Sequence, residues 1–120
     1  MDKLAQYRNY VQSLMTHYAH ADRSEDGVEV ELVMDTVRDH YQWMNVGWVG
    51  LKRIYNCYIH IDIIDGKVWL QQNWTEENPA EDLVEMGIPR EDIVLGLHPP
   101  YKRPYTDYGV ALTLNSSTLN

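Results

Sequence analysis

The stretch RIYNCYIHIDIIDGKVWLQQ, Arg53 to Gln72, decides how the rest of the chain is arranged. Asp65-Gly66 lies between two runs of alternating residues. Both members of the pair take positive φ at low cost, which a two-residue type I′ turn demands. The stretch is therefore predicted to be a β-hairpin. Setting Ile64 against Lys67 places Ile63 opposite Val68, Ile61 opposite Leu70 and Ile59 opposite Gln72, on a face that belongs in the core. The other face carries Tyr58, His60 and Asp62 against Asn73, Gln71 and Trp69. This polar and aromatic surface is the first candidate for function.

Outward from the hairpin, apolar positions continue to set the elements. From Asp2 to about His20, the residues Leu4, Tyr7, Val11, Leu14, Met15 and Tyr18 recur at helical spacing, with Asp2 placed to cap the start. Residues 21–27 read as a linker. Val28 to Met34 alternates as a half-buried strand, and Asp35 to Asp39 reads as a turn. His40 to Val49 is a second strand whose buried face is left open by its pattern, because both sides are partly apolar. After the hairpin, Asn78-Pro79-Ala80-Glu81 announces a short helix, with Asn78 as cap, Glu81 closing a capping box and Gly87 as stop. Ile93 to Leu97 is a short buried segment. His98 to Tyr105 is expected to be an extended, proline-stiffened strap, followed by an edge strand over Asp107–Leu114 and a frayed tail at 115–120. The fold class predicted is α+β, a four- to five-stranded antiparallel meander with a long N-terminal and a short C-terminal helix packed on it, in one domain over 1–120.

Eighteen acidic against ten basic residues leave a net charge of -8. That balance argues against autonomous binding to nucleic acid or an anionic membrane and favours a basic or mixed-charge protein partner. Nine Tyr, four Trp and no Phe mean that nearly every large ring brings a polar handle, as suits half-exposed positions and interfaces. The single cysteine, Cys57, is assigned to the apolar hairpin face as a small hydrophobe. No long apolar run and no charged-then-apolar leader is seen, so neither a membrane span nor a secretory signal is expected and the chain is read as soluble and cytoplasmic. His17 and His20 share a helix face but lack a third ligand at suitable spacing, and no cofactor or metal is expected.

Several of these residues recur as a set: Trp48-Val-Gly50, Arg53-x-Tyr55-x-Cys57-x-x-His60-x-Asp62-Ile63, Gly66-Lys67-Val68-Trp69, and Asp92-Ile93-Val94-Leu95-Gly96-x-His98-x-Pro100. Arg38-Asp39-His40-Tyr41-Gln42 and Arg103 before Thr106-x-Tyr108 belong with them. With these motifs the sequence resembles the XisI family over about Met1 to Val110. The resemblance implies an α+β fold and an accessory role in excision of the fdxN element, a DNA segment removed by site-specific recombination during heterocyst development in cyanobacteria. It implies a companion protein, XisH, of nuclease-like fold, and no catalytic residue. One departure is Trp74, where relatives tend to have Gly before Thr75-Glu76.

The expected function is thus that of a non-enzymatic regulatory protein that binds a protein partner. Candidate partner-binding residues are Tyr58, His60, Asp62, Trp69 and Gln71 on the outer hairpin face and Trp48 and Arg53 beside it. His98, Lys102, Arg103 and Tyr105 on the strap complete the set. In one variant, the acidic surface occupies the basic DNA channel of a nuclease, as an antitoxin or immunity protein would. A reading from another class is a small metal-dependent hydrolase: His60 and Asp62, at i and i+2 of a strand, project to the same side, with His40 or His98 as the third group. Direct DNA binding through Lys52, Arg53, Lys102 and Arg103 is opposed by the net charge. An unpaired sheet edge leaves a homodimer open.

Overall fold

The tight bend forms where the sequence places it. Asp65 and Gly66 take φ of 51° and 78° in a computed structural model of the chain, which describes residues 2–22 and 26–110. Around this hairpin the elements follow as α1 (Lys3–Ala21), β1 (Val28–Asp35), β2 (His40–Val49), β3 (Lys52–Ile64), β4 (Lys67–Asn73), α2 (Pro79–Met86) and β5 (Ile93–Leu95). The sheet has the order β1-β2-β3-β4-β5. The first four strands form the expected antiparallel meander, but β5 corrects it: Val68, Trp69 and Leu70 pair in parallel with Ile93, Val94 and Leu95. A parallel neighbour needs a crossover connection, and α2 supplies it. Of the strand expected over Asp107–Leu114, the described part amounts to one bridge from Gly109 to Val94. Residues 111–114 and the tail 115–120 lie outside the described residues.

The bend fixes the register for only four pairs. Ile64–Lys67, Ile63–Val68, Asp62–Trp69 and Ile61–Leu70 stand as predicted, after which His60 pairs with Gln72 and Ile59 with Asn73, leaving Gln71 as an extra residue in β4. A second irregularity separates β2 from β3: Trp43 pairs with Ile59 but Met44 with Cys57, so Tyr58 is extra in β3. A bulge interrupts the alternation of faces. Its result corrects two expectations. Tyr58 leaves the outer face and packs against the core, its ring 5.5 Å from that of Trp43. Cys57, expected on the apolar face, stands opposite Met44 on the outer one, partly buried, and burial pushes its thiol pKa up.

Both helices cover one face of the sheet. Asp2 caps α1 by accepting from the Ala5 amide at 2.8 Å, and the predicted stripe buries Tyr7, Val11, Leu14, Met15 and Tyr18. Against it lie Tyr41, Trp43, Ile59, Ile61, Ile63, Val68 and Leu70, which settles the buried side of β2 as that of Tyr41, Trp43 and Asn45. Each fully buried Ile or Val contributes roughly 1.5–3 kcal/mol. In α2, Asn78 accepts from the Glu81 amide, Gly87 ends the helix at φ 125°, and Ile88 is buried beside Leu83. The expected capping box is corrected, since the Glu81 carboxylate turns outward to accept from Arg90 and Tyr108.

A core lined with tyrosine instead of phenylalanine must house its hydroxyls. Tyr7 donates to Asp92 at 2.5 Å, Tyr41 to Asp39 at 2.9 Å and Tyr18 to Asp82. Burial first, and then the carboxylate acceptor, drive all three phenol pKa values well up. Asp39, at positive φ in the β1–β2 turn, also receives a two-pronged contact from Arg8 of α1 at 2.8 and 3.0 Å, tying that turn to the helix. No helix among the described residues is long and apolar enough to cross a membrane.

Candidate functional site on the open face of the sheet

The face away from the helices carries the side chains that the core cannot absorb. In β2 these are His40, Gln42, Met44, Val46 and Trp48, which pair with Asp62, His60, Cys57, Tyr55 and Arg53 of β3. Paired residues share a face, so one polar and aromatic surface runs along the β2–β3 ribbon. Asp62 is nine residue steps along β3 from Arg53, so the two ends lie about 30 Å apart at some 3.3 Å per residue.

At one end Asp62 is the hub. It is 7% exposed, yet its Oδ1 lies 2.8 Å from Nδ1 of His40 and 2.9 Å from Nε2 of His60, while Oδ2 accepts from Nε2 of Gln71 at 3.1 Å. Burial alone would raise the Asp62 carboxyl pKa, but the hydrogen bonds from His40, His60 and Gln71 outweigh it and the net movement is downward. His40 moves the other way: its hydrogen bond to Asp62 raises its pKa, against a smaller opposing effect of desolvation. The extra residue of β4 is what brings Gln71 to Asp62. Gly96 then packs over this corner, where an added Cβ would lie 2.3 Å from Oε1 of Gln71 and 3.0 Å from Cε3 of Trp69.

The segment after β5 covers Trp69 and corrects the strap reading. Pro100 to Tyr105 is a 3₁₀ turn, not an extended run. Arg103, expected to be a free or partner-facing cation, is 8% exposed, with its guanidinium 5.0 Å from the Trp69 ring and its Nε donating to the His98 carbonyl at 3.2 Å. Lys102 and Tyr105 do face solvent, the latter 89% exposed.

At the other end, Trp48 is 54% exposed and Arg53 sits 5.4 Å from its ring and 5.8 Å from that of Tyr55. Leu51, in the connecting turn, is fully exposed. The structure therefore divides the predicted set: His60, Asp62 and Gln71 come together, Trp48 and Arg53 form a separate aromatic end, Trp69 and Arg103 pack on each other, and Tyr58 turns inward. Of the two histidines that the hydrolase reading offered as a third group, His40 joins Asp62 and His98 does not. Tyr55 joins this end although strict alternation assigns it to the core face of the hairpin, and its place two residues from Arg53 shows only that the two share a face.

Helices on one side of the sheet, with a polar cluster and an aromatic end on the other, define a small α+β protein whose second sheet face is left largely open by the described residues. The chain belongs to the XisI family: the family model described as XisI protein matches residues 1–110. It is similar to the crystal structure of a XisI-like protein from Anabaena variabilis ATCC 29413, with 67% identity over 90% of this chain and 99% of that one, and a TM-score of 0.87. It is also similar to the fdxN element excision controlling factor XisI of the same organism, with 34% identity over 92% of this chain and 100% of that one, and a TM-score of 0.80. No curated protein matches the chain.

Proposed function

We propose that this protein is an accessory factor of DNA-element excision, as its fdxN-controlling relative is described, and that it acts without catalysis of its own by binding a XisH-like protein partner. The observation that carries the reading is family membership over residues 1–110, with a described excision controlling factor 34% identical along its whole length. The bare sheet face supports it. Trp48, Tyr55 and Arg53 offer a stacked aromatic and cationic end of the kind that anchors interfaces, and the net charge of -8 suits a partner with a basic surface. The same charge weighs against autonomous contact with DNA.

Mixing the protein with a XisH-like chain at about 20 µM, the weak end of specific binding, and following it by gel filtration with light scattering tests the proposal. A stable complex is expected. Replacing Trp48 and Arg53 together by alanine is expected to weaken it about tenfold or more while leaving thermal stability unchanged, because both side chains lie outside the core. Absence of a complex, or tight binding of duplex DNA by the isolated protein at physiological salt, would overturn it.

A further inference from the structure

We propose that His40 Nδ1, His60 Nε2 and a carboxylate oxygen of Asp62 form a three-ligand site for a divalent transition-metal ion of the Zn2+ type, with an open position facing solvent. These ligand atoms all lie within 4.8 Å of one another. The two imidazole nitrogens stand 2.8 and 2.9 Å from the carboxylate oxygen. Ligands about 2.0–2.1 Å from a tetrahedral ion are separated by about 3.3 Å, so an ion enters by lengthening the two nitrogen–oxygen separations by about half an ångström, with the two nitrogens, within 4.8 Å of each other, settling to the same spacing. His40 leads that movement, since its side chain is 55% exposed and hinders nothing.

Three further features separate this cluster from a chance polar contact. The ligands stand on neighbouring strands, His40 directly paired with Asp62 and His60 two residues before it, so the sheet ladder fixes their spacing. Gln71 holds the carboxylate oxygen that does not face the histidines, the part that an outer partner plays in orienting a ligating carboxylate. Two imidazoles and one carboxylate suit zinc, nickel or copper, whereas magnesium and calcium prefer all-oxygen shells. In the ion-free protein both ring nitrogens point N–H at one oxygen. A bound ion takes the lone pairs of Nδ1 of His40 and Nε2 of His60, so each nitrogen gives up the N–H that it offers Asp62. The site stands whether or not the protein binds a XisH-like partner.

The test uses the whole protein, free of any tag and stripped with chelator, titrated with Zn2+ by calorimetry and with Co2+ by visible absorption. One equivalent bound in the micromolar range is expected, together with the absorption bands of a low-coordinate cobalt site. His40→Ala, at an exposed position that leaves the fold intact, is expected to weaken binding at least about tenfold, the scale on which even outer partners matter. His60→Ala, checked for folding by circular dichroism, is expected to do the same. A double His17→Ala and His20→Ala variant is expected to bind as the parent does. No stoichiometric binding up to about 1 mM metal, binding that His40→Ala leaves unaltered, or binding that disappears with the His17 and His20 pair would each overturn the site.

Discussion

At the scale of single residues, two glycines and one aspartate carry separate physical burdens. A Cβ on Gly47 would lie 1.9 Å from the Gly27 carbonyl oxygen, whose backbone is held by the Trp48 amide at 3.0 Å. A Cβ on Gly96 would meet chiefly the tip of Gln71, a side chain able to turn away. Gly47→Ala is therefore expected to cost about 3 kcal/mol and Gly96→Ala about 1 kcal/mol in urea unfolding. Equal costs would show that the β1–β2 approach is loose. Asp92 bears on pH. Its burial raises the carboxyl, but Lys3 and Tyr7 outweigh this and hold its folded pKa below the ordinary value. The unfolded chain then takes up the proton first as pH falls. The contribution is complete above about pH 5 and is lost as pH drops below about 4 and through the folded pKa. Asp92→Asn is expected to lower stability by about 1 kcal/mol at pH 7 and to unfold like the parent near pH 2, as read from denaturation midpoints against pH.

At the scale of elements, the bulges in the hairpin ribbon matter more than the turn. Strict alternation makes Tyr55 and Tyr58 occupy opposite faces, with Tyr58 on the outer one, and the extra residue in β3 turns Tyr58 to pack, partly buried, against the core instead. Tyr58→Ala is expected to cost about 2–3 kcal/mol, and Tyr55→Ala less than about 0.5 kcal/mol. The reverse ranking in thermal or urea unfolding would remove the bulge. A trace of it is legible in the sequence: Ile54 is out of phase with Ile59, Ile61 and Ile63. A single slipped apolar residue in a strand rich in Tyr and Cys is too weak a signal to place a bulge. The helices are far more legible, because a stripe of six apolar residues and an Asn-Pro start each have one structural reading.

At the scale of the whole molecule, the decisive property is asymmetry: two helices bury one sheet face, while among the described residues the other is covered at the Gln71–Trp69 corner by Gly96 and Arg103 and otherwise left open. If the bare face takes a basic partner, the complex is expected to weaken as salt rises from 50 to 500 mM, about tenfold or more, since exposed charges are screened beyond about 10 Å at 0.1 M. An affinity independent of salt, measured by calorimetry, would assign the contact to the aromatic end alone.

By itself the sequence determined the bend at Asp65-Gly66, the two helices with their caps, the inward isoleucines and the nearness of His60 to Asp62. Each of these follows from contacts within a few residues or across one turn. Tertiary structure alone decided that β5 lies parallel to β4, that Tyr58 turns inward, that Arg103 is stacked under cover, and that His40 completes the group around Asp62. Those outcomes depend on which strands become neighbours and on where a ladder slips. Both are set by the packing of the whole core, so no local run of residues records them.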